Sequence, residues 1–426
     1  MLGEPTMKTP PENDFLLAAP GSANLRLRRS TVLRAGLLLA LLGPHRRSLA
    51  QETTMNTTLA QAQTEFGFNL FAQAIKQDAG RNVFLSPLSI ALVLTMVENG
   101  AAGATRTAIA QTLALGKLDS PALNQQSAAL LSALESHEAK VQLQIANALW
   151  SQQGVAIEAE FTNLARQYYR AQAEELNFAQ PEAAQTINRW VEQKTNGKIA
   201  KIVAPDDLRS ALLVLVNAVY FKAAWQRTFD SKATRNRPFH LAAGPQKDLP
   251  FMNQTGRFEY LENEAFQAVR LPYANPNLGM YIFLPKPDLA TFEQQLNGQT
   301  FQKWLTQFAS RSGSLALPRF KIEYAIALKK ALTILGMGIA FSSKADFRAM
   351  SREPAFLYEV IHKSYIDVNE EGTEAAAATG AIMRATAVMQ PVPPFQMIVD
   401  RPFFIAIRDN TSGALLFMGR IADPTG

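Results

Sequence analysis

The sequence predicts an α+β fold whose sheets are large and mainly antiparallel. Three observations predict it. Helical spacing dominates the first half of the chain and β-rich runs the second, and no linker divides anything after residue 50. With 426 residues, 47% hydrophobic and 18% charged, the composition suits one large buried core.

The first fifty residues read as a leader, and residues 51–426 as a single domain. Arg26, Arg28, Arg29 and Arg34 precede the apolar run 35–43, and Ser48-Leu49-Ala50 places small residues where a signal peptidase cuts. That run is too short to span a bilayer as an ordinary helix, so export to a secreted or periplasmic location is expected rather than a membrane span. Seven basic and three acidic side chains lie before Gln51, which leaves only +2 of the formal +6 for the domain. The high pI of 9.4 therefore does not point to nucleic acid, and no basic stripe interleaved with aromatics appears.

Along the domain, Phe66, Leu70, Phe71 and Ala74 recur at helical spacing within residues 64–75. Residues 89–100 read as a buried helix started by Ser86-Pro87. Further helices are expected over 123–138, 161–173 and 183–196, the last stopped by Gly197. Strands are expected over 142–150, 211–221, 279–284, 314–323, 357–369, 403–408 and 414–419. The Gly336-x-Gly338 pair lacks the rest of a dinucleotide fingerprint and reads as a turn or helix cap.

Catalytic and metal chemistry find little support. Cysteine is absent, and the four histidines (His45, His137, His240 and His362) show no ligand spacing, so no metal or cofactor is expected. No G-x-S-x-G elbow occurs, and no serine is marked as a partner for His362. An enzyme is not expected.

The stretch from Glu370 to Ala387 stands apart, because it has almost no large side chain. Its alanines suit a helix or a linker. Alternation also suits a strand, whose one face would carry Thr373, Ala375, Ala377, Thr379 and Ala381 with no charge and no bulk. A strand entering a preformed slot needs such a face, since a buried charge or a large side chain there is costly. Gly372 offers a hinge, and Pro391, Pro393 and Pro394 exclude the following residues from the middle of a sheet.

Seven segments then resemble, in order, the motifs of the serpin family: Asn82–Ile90, Asn217–Trp225, Leu317–Glu323, His362-Lys363, Glu370–Thr379, Asp400–Phe404 and Leu416–Arg420. The likeness covers nearly everything after the leader. It implies the serpin fold with an exposed reactive-centre loop, and a suicide-substrate inhibitor of serine proteases that traps a covalent acyl complex. It implies a hinge at Glu370, Glu371, Gly372, Thr373, Ala375, Ala376, Ala377, Ala378 and Thr379. The reactive bond becomes Thr386-Ala387, matching elastase- or subtilisin-like proteases, with Arg384 the alternative for a trypsin-like target. Ser86, Ser89, Asn217 and His362 match a polar cluster where the main sheet opens, and Trp225 and Arg319 match the top of that sheet. Glu370 and Arg319 match a salt bridge there. A monomer is implied, and no heparin cofactor is expected. The rival reading is a non-inhibitory relative acting as a binding or chaperone-like protein.

Overall fold

The computed structural model describes residues 43–116, 118–134, 141–373 and 393–426, with side chains from residue 59 onward. In chain order the helices are α1 (Gly43–Gln77), α2 (Pro87–Gly100), α3 (Gly103–Thr112), α4 (Ser120–Leu134), α5 (Ala159–Tyr169), α6 (Pro181–Lys194), α7 (Pro205–Leu208), α8 (Leu289–Gln295), α9 (Gly298–Leu305) and α10 (Lys329–Leu332). The strands are β1 (Val83–Leu85), β2 (Val141–Gln152), β3 (Gln172–Leu176), β4 (Leu213–Ala224), β5 (Arg235–Phe239), β6 (Lys247–Glu262), β7 (Phe266–Pro272) and β8 (Leu278–Pro285). They continue with β9 (Ala309–Pro318), β10 (Phe320–Ala327), β11 (Leu357–Val368), β12 (Gly372–Thr373), β13 (Phe395–Ile398), β14 (Phe403–Asp409) and β15 (Leu415–Ile421).

Two sheets carry the fold. The first has strand order β10-β11-β12-β4-β2-β3, with β11 also paired directly to β4. The second runs β1-β15-β14-β8-β7-β6-β9-β13, with β5 added on β6. All pairings are antiparallel except β11–β4, β13–β9 and β2–β3.

The run Leu213-Val214-Leu215-Val216 is apolar at every position because β4 is covered on both faces. Leu215, Val219 and Phe221 face the main core, which also receives α2 and strands of the second sheet. Val214, Val216 and Ala218 face a second cluster built with Ile187 and Val191 of α6. Helix α2 is buried along nearly its whole length, from Leu88 to Val97. A helix enclosed all round needs no polar face. Its start is set by Ser86, whose hydroxyl accepts from the Ser89 backbone N–H at 3.4 Å, with Pro87 at the first helical position.

Three sequence expectations need correction. The helix expected over 161–173 ends at Tyr169, where Arg170 adopts a left-handed conformation (φ 51°) and β3 begins at Gln172. The strand expected over 314–323 is two strands, parted at Arg319, because the chain there leaves the second sheet as β9 and enters the first as β10. The helix expected over 64–75 is only part of the longer α1, Gly43–Gln77. The helix expected over 123–138 is α4, and His137 lies outside the described residues. Gly336, read as a turn or cap, has φ 113° at a kink, a conformation that favours glycine. Among the described residues no helix is long and apolar enough to cross a membrane.

Candidate functional site: the seam between β4 and β11 and its hinge

Strands β4 and β11 run side by side in parallel from Leu213/Leu357 to Tyr220/Tyr365. Above that point they part, and Thr373 sits between them. It is opposite Val368 of β11 and Ala223 of β4, and it runs antiparallel to both. The seam is thus closed along its length and open by two residues at one end.

Packing explains why those two residues stay. Thr373 is fully buried, and its Oγ1 lies 2.8 Å from the hydroxyl of Tyr273. Burial pushes the Tyr273 pKa up, so its hydroxyl keeps its proton and holds this bond at any ordinary pH. The Tyr273 ring stacks on Trp225 with centroids 4.7 Å apart and planes 10° from parallel. Trp225 in turn donates from Nε1 to the Asn369 carbonyl at 2.9 Å, and from its backbone N–H to the Glu371 carbonyl at 2.9 Å. Phe229 N–H donates to the Glu370 carbonyl at 2.8 Å.

Gly372 is required by space. A Cβ there would lie 2.2 Å from the Ala223 carbonyl oxygen, closer than any side chain allows. Before it, the Glu370 carboxylate is 7% exposed and accepts from Arg319 Nε at 2.9 Å and from the Thr234 hydroxyl. Burial works to raise the Glu370 pKa, but the hydrogen bonds from Arg319 and Thr234 outweigh it and the net shift is downward. Glu371 is half-buried, with its backbone N–H on Asn369 Oδ1.

Lower on the seam, His362 of β11 is in register with Asn217 of β4. His362 Nε2 receives the Ser86 backbone N–H at 3.3 Å, so it must be unprotonated. The single proton is therefore on Nδ1, which donates to Asn217 Oδ1 at 2.6 Å. Asn217 Nδ2 donates to Asn147 Oδ1 of β2 at 2.6 Å and to the Ser89 hydroxyl of α2. One amide thus ties three strands and the central helix. Complete burial lowers the His362 pKa to about 3, since no anion is at hand to support the charge.

The six seam and sheet-top residues expected from the sequence, Ser86, Ser89, Asn217, His362, Trp225 and Arg319, all take part in these two clusters. Three participants were missed. Asn147 is a buried polar residue inside an apolar strand, a signal open to sequence reading. Thr234 and Tyr273 carried no such signal, because their contacts are with residues 136 and 100 positions away. Ala375, Ala376, Ala377, Ala378, Thr379, Arg384, Thr386 and Ala387 lie outside the described residues.

Known proteins resemble this chain along most of its length. The family model Serpin (serine protease inhibitor) matches residues 61–424. Serpin B6 of Macaca fascicularis is 37% identical over 377 residues, covering 86% of this chain and 99% of the relative. Human thyroxine-binding globulin complexed with thyroxine superposes with a TM-score of 0.81 at 26% identity, covering 87% of this chain and all of the other. The thermophilic serpin tengpin in its native state gives 0.77 at 30% identity, covering 86% and 94%. With a family match over residues 61–424 and a relative 37% identical along almost its whole length, the chain belongs to the serpin family.

Proposed function

We propose that the protein is a suicide-substrate inhibitor of serine proteases, in which residues 372–394 form the bait. A target protease attacks the Thr386 carbonyl and the bond to Ala387 breaks. The nitrogen of Ala387 leaves with a proton, and the protease stays as an ester on Thr386. The freed end then extends β12 downward between β4 and β11. About fifteen residues at ~3.3 Å each carry the tethered protease roughly 50 Å, which deforms its active site before water can deacylate it.

One observation supports this reading above the rest: Thr373 already occupies the first place between β4 and β11, antiparallel to both. Extension of β12 replaces one parallel seam with two antiparallel ones, which are slightly more stable per residue and add a whole strand of hydrogen bonds. Thr373 faces the buried Tyr273, so in an extended β12 alternation would turn Ala375, Ala377 and Thr379 the same way, and none carries charge or bulk. The small Thr386 suits an elastase- or subtilisin-like target, and Arg384 a trypsin-like one. We read the leader as directing export, and the inhibitor itself as a monomer that works without a cofactor.

Incubation with elastase, subtilisin and trypsin tests it. Expected is an SDS-stable complex with one of them and a released fragment beginning at Ala387. A fragment beginning at Ala385 moves the reactive bond to Arg384. Cleavage with the protease left active overturns inhibition and leaves the non-inhibitory, binding reading.

A further inference from the structure

A cleft of about 430 Å³ is walled by Trp225, Phe258 and Pro272 and carries three arginines, Arg227, Arg257 and Arg270. We propose that this cleft binds a compact oxyanion with two or more negative charges, of the polycarboxylate or pyrophosphate class.

The charge count comes first. Glu259, the one carboxylate on the cleft wall, is paired with Arg270 at 3.0 Å. Among the described residues no carboxylate pairs with Arg227 or Arg257. Two guanidinium charges therefore face the same space uncompensated. Each has donors to spare: Arg227 gives one N–H to the Thr255 carbonyl at 2.6 Å, and Arg257 gives Nε to the Ser310 hydroxyl at 3.2 Å. Arg270 adds a buried Nε with no partner.

Arg227 is also held in place, which lowers the ordering cost of binding. Its guanidinium lies 5.6 Å from the Phe258 ring centre and occupies the space beside Gly256, where a Cβ would stand 2.2 Å from Nη1. Gln254 fixes the backbone beneath by donating to the carbonyls of Arg227 and Thr228 at 3.0 and 3.1 Å. Planar forks pre-set in this way match carboxylate and phosphate oxygens two at a time. The apolar walls and the limited volume favour a small ligand over an extended polyanion chain.

The full chain is titrated calorimetrically with citrate and, separately, pyrophosphate, against sodium chloride at matched ionic strength. Expected is saturable one-to-one binding of at least one of the two, weakened about tenfold or more in both Arg227→Gln and Arg257→Gln. Arg209→Gln, an exposed arginine elsewhere, should bind as the unaltered protein does. Gly256→Ala, which keeps every charge but displaces Arg227, should weaken binding as well. Citrate alone identifies a carboxylate site and pyrophosphate alone a phosphate site. No saturable heat beyond that of chloride, or equal binding by Arg227→Gln and Arg257→Gln, overturns the proposal.

Discussion

At the scale of single residues, burial gives His362 a distinct part in stability. The folded imidazole resists protonation down to about pH 3, whereas an unfolded one takes a proton near 6.5. As pH falls below 6.5 the unfolded chain gains a proton that the folded chain refuses, so folding loses stability steadily toward pH 3. By pH 5 the loss amounts to about 2 kcal/mol. The lowered Glu370 pKa acts in the same direction at and below the ordinary carboxylate range, while burial raises the Glu359 pKa and works against it. Urea unfolding at stepped pH should therefore show this slope in the natural protein. Between pH 6.5 and 5 it should fall sharply in His362→Gln, and an unchanged slope would remove His362 as its source.

Among the elements, the proposed mechanism turns on the two-residue strand β12. Thr373→Arg would place a long charged side chain where Thr373 is fully buried against Tyr273. The hinge would swing out, at little cost to the fold, because β12 contributes only two residues to the sheet. The variant should keep a cooperative unfolding transition, be cleaved by the target protease, and leave that protease active. Continued formation of an SDS-stable complex would place the inserting strand in another register. Elements also show where local reading stops. The cap at Ser86-Pro87, the stop at Gly197 and the closing strands near the carboxyl end were legible, since each is written in neighbouring residues. The break at Arg319 was not, because residues 314–323 keep strand character on both sides of it and only the two sheets tell β9 from β10.

Across the whole molecule, the proposed insertion into the closed seam would make the uncut form a kinetic trap. A strand of about fifteen residues with roughly 1 kcal/mol net per added hydrogen bond is worth on the order of 10 kcal/mol. Nicked protein should thus melt at least about 10 °C above intact protein in a domain of this size. Coincident melting curves would mean that cleavage releases nothing.

The sequence by itself determined most of the helices and strands, the polar residues stranded in apolar runs, and the small, chargeless face that follows Gly372. Those properties are local: periodicity, capping and side-chain size act within a few residues of each other. Which strands become neighbours is another matter. His362 meets Asn217 across 145 residues, and Tyr273 meets Thr373 across 100. Only the tertiary structure decided that β4 and β11 close on each other below Thr373 and open above it, because strand pairing and the depth of a seam depend on how the entire core packs, and no window of sequence contains that balance.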